Sequence, residues 1–167
     1  MSKAQVAEFA EHVANGLAFE PGDPMEPVVA ALNGKIRHHD HVARINGIPE
    51  SILVKPDGRF VIFMTSLTSE KRDRFTLAHE LGHRLLHFPL VHDKYPTEKM
   101  VATRWVDEND RVQQRAEWEA NWFAAAFLMP EEGFLKAVDR FGLGQAAIIY
   151  GVSKRAAEIR LKSLRPH

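Results

Sequence analysis

Along this chain the spacing of apolar positions changes several times, and each change marks an element. Over residues 3–18, Val6, Phe9, Ala10, Val13, Ala14 and Leu17 recur at helical spacing, which predicts an amphipathic helix with one face turned inward. The EPGDP stretch breaks it. A second, short helix is expected from Met25 to Leu32, with Asn33-Gly34 as its stop signal. The polar run IRHHDH, with His38, His39 and His41, reads as a solvated loop. Strand-like runs follow: Ser51–Lys55 and Arg59–Thr65 flank Pro56-Asp57-Gly58, where Pro presets φ and Gly permits a positive one, so the two runs form a strand pair. In the second run Val61 and Phe63 alternate with Phe60, Ile62 and Met64, so both faces are largely apolar, as in a strand interior to a small sheet or beside a groove.

Ser69 and Glu70 open a long helix that Pro89 is expected to end, with Glu70 and Asp73 placed favourably near its N-terminal dipole. Residues 90–110 carry no clear period and read as a charged connector, Glu108 and Asp110 being solvated. A second strong helix runs from about Arg111 to Met129 and stops at Pro130. Residues 131–141, 143–150 and 153–164 then read as three short helices punctuated by Gly142, Gly144 and Gly151. Helices with one strand pair predict an α+β chain, divided into residues 1–130 and a C-terminal helical segment, 131–167.

The long helix carries the chemistry. His79-Glu80-Leu81-Gly82-His83 is an H-E-x-x-H motif. Four residues of helix bring His79 and His83 to one face, one turn apart, the spacing two imidazoles need to reach one tetrahedral metal ion. Glu80 falls on the flank of that face, placed to take a proton from water at the metal. With His79 as zero, His83, His87 and Glu80 lie within a sector of roughly 100°. Leu77, Ala78, Leu81, Leu85 and Phe88 lie opposite. A solvated amphipathic helix would not need so much apolar surface around its polar stripe.

Composition narrows the metal. The chain of 167 residues has no cysteine, so nitrogen and oxygen must hold any ion. With 22 basic and 22 acidic residues, no global charge points to nucleic acid or membrane. The N-terminal MSKAQVAEFAEHVANG lacks the apolar centre of a signal peptide, and no apolar run is long enough to span a bilayer, so a cytoplasmic location is expected.

A catalytic zinc usually has three protein ligands, and the motif supplies two. His87, one turn past His83, is a poor third, because three ligands in successive turns of one helix converge badly. The helix EWEANWFAAAFLMP offers Glu117 and Asn121 at i, i+4, on one face. Glu117 can ligate, while the Asn121 amide oxygen accepts a proton from the far nitrogen of a ligating imidazole and orients it. Glu119 is turned nearly opposite, toward Val112, Phe123 and Ala126.

RFTLAHELGHRLLH followed by E-x-E-A-N-x-F-A-A-x-x-L-M-P resembles the ImmA/IrrE family of metallo-endopeptidases over about residues 52–165. The resemblance implies a zincin-like core, a strand beside the site helix, one zinc (replaceable by manganese or another divalent ion in vitro) held by His79, His83 and Glu117, and Glu80 as base. It also implies a substrate class, helix-turn-helix repressors of the XRE type, cut to relieve repression. Thr65-Ser66 departs from the family pattern, where an asparagine is expected before the helix. Longer stress-response members carry a further sensor-like domain, which this chain is expected to lack. Ala147-x-x-x-Gly151-Val152-Ser153-x-x-x-Ala157 has helix-turn-helix-like packing positions, with basic Lys154, Arg155, Arg160, Lys162 and Arg165. Zero net charge argues against direct DNA binding. The rival reading is an anti-repressor that binds without cutting and holds a structural metal. His92, Tyr95, Tyr150 and the histidines at 38–41 remain unranked as oxyanion donors.

Overall fold

The computed structural model describes residues 1–39, 50–65, 68–103 and 109–165. Helix α1 (Lys3–Gly16) starts at a capping box, in which the Ser2 hydroxyl accepts from the Gln5 backbone and the Gln5 side chain accepts from the Ser2 backbone. Its inward stripe is Val6, Ala10 and Ala14, small enough to lie close along helix α5 (Arg111–Leu128), which presents Phe123 and Phe127 to the core. Helix α2 (Glu26–Ala31) follows, then strand β1 (Gly34–His39). Strands β2 (Glu50–Val54) and β3 (Phe60–Thr65) form the expected pair, and β4 (Met100–Thr103) completes a sheet of order β1-β3-β2-β4. β1 runs parallel to β3, and β2 is antiparallel to both β3 and β4. The apolar run of β3 is thus explained by its interior place, with Phe60, Ile62 and Met64 buried.

Three expectations need correction. Residues of the IRHHDH run, up to His39, belong to strand β1 and not to a loop. Its partner β3 supplies the order that the polar sequence conceals, and His38 stays exposed on this edge strand. His41 lies outside the described residues. Pro89 does not end the helix. Helix α3 (Glu70–Gly82) passes into a π-turn over His83–His87, in which the Phe88 N–H bonds five residues back to the His83 carbonyl, and α4 (Phe88–Lys94) continues. Pro89 then sits in the first turn of α4, where its missing N–H and fixed φ are tolerated. The supposed connector beyond it contains the rest of α4 and strand β4, and Asp110 caps α5 by accepting from the Val112 and Gln113 backbone. Glu108 lies outside the described residues.

Helices α6 (Glu131–Phe141), α7 (Leu143–Ile149) and α8 (Lys154–Leu164) match the three expected short helices. Phe134, Ala146, Tyr150, Val152 and Ala157 join the same core cluster as α1, α5 and the sheet. Two buried arginines tie these helices down. Arg74 donates to the carbonyls of Gly151, Gly22 and Asp23, and Arg160 donates to the Met129 carbonyl and to Glu11. Arg160 satisfies the carbonyl of the residue that caps the C-terminus of α5, and Arg74 ties the α1–α2 loop to the turn after α7. Among the described residues no helix is long and apolar enough to cross a membrane.

Candidate metal centre

α3 and α5 cross closely at Gly82. A Cβ there would lie 3.0 Å from the Ala120 Cα and 3.2 Å from the Phe123 Cβ, so the glycine in the motif admits the α5 backbone. That approach brings Glu117 and Asn121 against His79 and His83. His79 Nε2 and His83 Nε2 stand 3.1 Å apart, and the Glu117 carboxylate oxygens lie 3.2 Å and 3.1 Å from them. Ligands bound at about 2.0–2.2 Å on a tetrahedral zinc stand roughly 3.3–3.5 Å from one another, so these donors are close to the spacing such an ion demands. Two imidazole lone pairs facing each other at 3.1 Å repel unless a proton or a cation lies between them. Nitrogen and carboxylate donors on two helices therefore fit a borderline divalent ion. Burial works against the charge on Glu117, but the two imidazoles outweigh it and bring its carboxyl down to about 2. Burial likewise disfavours a charged His79, which Glu117 and Glu80 overcome, raising its pKa.

Glu80 is buried, and its own pKa is raised by burial, opposed by the two histidines and by the Ser51 hydroxyl. Ser51 Oγ donates to Glu80 Oε2 at 3.1 Å. Sequence reasoning missed this serine. The β2–β4 register shifts between Glu50 and Ile52, and the bulge turns Ser51 inward beside buried Ile52.

The far nitrogens of the two imidazoles are held differently. His79 Nδ1 lies 3.1 Å from Asn121 Oδ1, and because a carbonyl oxygen only accepts, Nδ1 carries a proton, which leaves Nε2 as the atom turned to Glu117. His83 Nδ1 lies 3.0 Å from His87 Nδ1, and His87 Nε2 lies 3.2 Å from Glu119 Oε2. One proton order serves both contacts. His83 Nδ1–H donates to His87 Nδ1, His87 Nε2–H donates to the carboxylate, and His83 Nε2 keeps its lone pair. The contact falls within the π-turn, where His83 and His87 stand one turn apart. Burial opposes the charge on Glu119, but the N-terminal ammonium, Arg115 and His87 hold its pKa low.

Of the unranked oxyanion candidates, His92 stacks on Phe88, Tyr95 is exposed beside Lys94, and Tyr150 packs edge-on against Phe134. Nothing in these contacts brings any of the three to Glu80 or to the three facing donors.

An α+β fold with a helical H-E-x-x-H and a carboxylate brought in by a second helix is the architecture of a zincin-like domain. Residues 35–162 match the Peptidase_M78 family, described as the IrrE N-terminal-like domain, and the chain belongs to that family. It is 34% identical over 126 residues to the "Radiation response metalloprotease IrrE" of Deinococcus radiodurans, a match covering 68% of this chain and 34% of that protein. It is 38% identical over 146 residues to the protein of the same name from Deinococcus deserti, covering 84% of this chain and 44% of the relative. The chain thus spans less than half the length of these curated relatives.

Proposed function

We propose that this protein is a zinc-dependent endopeptidase that cleaves a helix-turn-helix repressor of the XRE type in the cytoplasm and so relieves repression. The observation that carries the peptidase reading is a division of labour among four side chains. His79, His83 and Glu117 converge within 4.8 Å of one another as a donor set, while Glu80 stands apart from that set, buried and oriented by Ser51. Three protein donors are what a catalytic site supplies, because the fourth position is left for water. Zinc held there would supply a Lewis acid and a water of lowered pKa. With Ser51 on its Oε2, Glu80 keeps Oε1 to take the proton from the attacking water and return it to the leaving amine. Asn121 and His87 keep the two ring protons on Nδ1, so that both Nε2 atoms remain donors. The repressor substrate rests on the resemblance to the ImmA/IrrE peptidases, and the similarity to two metalloproteases supports the protease class.

The test pairs the zinc-loaded protein with the repressor encoded nearest its own gene and reads the repressor by mass spectrometry. Fragments from a single bond are expected with wild type, and none with Glu80→Gln, which should keep its zinc. General acid–base groups are worth about 10²–10⁴-fold, and here one group serves both proton transfers. Full derepression in cells by Glu80→Gln, with the repressor intact, would replace the peptidase by a regulator that acts through binding alone.

A further inference from the structure

A groove of about 780 Å³ opens between α1, α3, α5 and α8. On α3 its wall is Arg72, Phe75 and Thr76, the positions that precede His79 at helical spacing, so it follows the face that carries the metal motif. It begins at Asn121, whose side-chain oxygen holds His79 at 3.1 Å. Phe75, Trp122 and Ile159 line its apolar surface, and Ile159 is 55% exposed. Lys71, Arg72 and Arg155 are exposed along its rim, Arg155 only loosely engaged with Glu158 at 3.8 Å. Among the described residues no aspartate or glutamate lines the groove, although the chain carries 22 acidic residues against 22 basic ones, so this one-sided charge is local and not a reflection of composition.

We propose that the groove seats an acidic amphipathic segment of the protein substrate on one side of the cleaved bond, its apolar side chains on Phe75, Trp122 and Ile159 and its carboxylates on the cationic rim. Charge complementarity selects that occupant, and Asn121, which lines the groove and binds His79 Nδ1, sets the end of the groove against the far side of that ring. The inference rests on the endopeptidase reading.

The experiment offers a proteome-derived peptide library to the zinc-loaded wild type and to a Lys71→Glu, Arg72→Glu, Arg155→Glu triple variant, and maps cut sites by mass spectrometry. Wild type is expected to cut where aspartate or glutamate interleaves with apolar residues on one side of the bond. The triple variant should lose that enrichment and show KM raised about 10–100-fold for the best acidic peptide, with zinc content unchanged. Cutting by wild type without acidic enrichment would overturn the groove and leave the peptidase standing. If wild type cuts no library peptide, the peptidase reading is decided by the repressor test and the groove is judged by fluorescence anisotropy. The probes are a labelled amphipathic peptide of leucine and glutamate and its lysine counterpart. Tighter binding of the glutamate peptide, lost in the triple variant, supports the groove, and equal binding overturns it. A wild-type dimer that Ile159→Glu converts to monomer would assign the face to a second copy of the chain and overturn the proposal.

Discussion

His79 turns its Nδ1 to the side-chain carbonyl of Asn121 at the mouth of an open groove, whereas His83 turns its Nδ1 to a second imidazole that a buried carboxylate holds in turn. The two rings sit one helical turn apart and face the same glutamate, yet their side chains are 15% and 5% exposed. A neutral amide at the surface competes with water for its hydrogen bond and so adds little net energy. The His87–Glu119 chain lies deeper, and its carboxylate is also bound by Arg115 and the N-terminal ammonium, so removing one member strands the others. One imidazole is thus anchored by the core, while the other is held by an amide at the surface.

The largest effect should be blind to this difference. His79→Ala, His83→Ala and Glu117→Gln should each drop zinc from about one per chain toward zero, because two donors hold the ion poorly. Metal analysis after dialysis reads it, and a Glu117→Gln protein that retained a full equivalent would remove this residue from the donor set.

Gly82→Val should come next. The added carbons would meet the α5 backbone, forcing the helices apart at a cost of about 1–3 kcal/mol and withdrawing Glu117 from both imidazoles at once. Thermal unfolding and zinc titration should fall together, and a stable variant with normal zinc affinity would mean that the close crossing does not set the centre.

The comparison itself is tested by the far-nitrogen partners. Changes to groups that orient a ligand typically cost about 10–100-fold in metal affinity or activity. His87→Ala and Glu119→Ala are expected near the upper end and Asn121→Ala near the lower. His87→Gln should recover part of the loss, since its amide oxygen can still accept from His83 Nδ1. Competitive zinc titrations would rank them, and an Asn121→Ala loss equal to that of His87→Ala would mean that the two rings are held equally firmly.

The smallest effect is expected from Ser51→Ala, which touches neither imidazole. It removes one hydrogen bond to a carboxylate, worth about 1.5–3 kcal/mol when the acceptor is charged. Zinc affinity should hold while turnover of a cleavable peptide falls by about tenfold or more. A change in zinc affinity with turnover intact would place Ser51 with the donors and not with Glu80.

Much of this centre is readable from spacing alone. Helical phase puts His79, His83 and Glu80 in one sector, and i, i+4 spacing puts Glu117 and Asn121 on one face of α5, because a helix fixes its own angular order through bonds between near neighbours. The same local rule gives α1, α5 and the three C-terminal helices their bounds, to within a residue or two. It fails where order comes from a distant partner. Strand β1 looks like a polar loop until β3 pairs with it, and β4 looks like a charged connector until β2 does. The π-turn leaves no mark in the apolar pattern, since a single extra residue in one turn shifts the phase by less than the width of the stripe.

Local spacing alone gives most of the helices, their polar faces and the residue types able to hold a metal, all set by contacts within a few positions, but not α4 or the π-turn. Tertiary structure alone decided which faces meet. It brought Ser51 to Glu80 across 29 residues and Glu119 to His87 across 32, and it lined one groove with cations from three helices far apart in the chain. Burial against a specific partner is a property of two surfaces together, and neither stretch of sequence carries it separately.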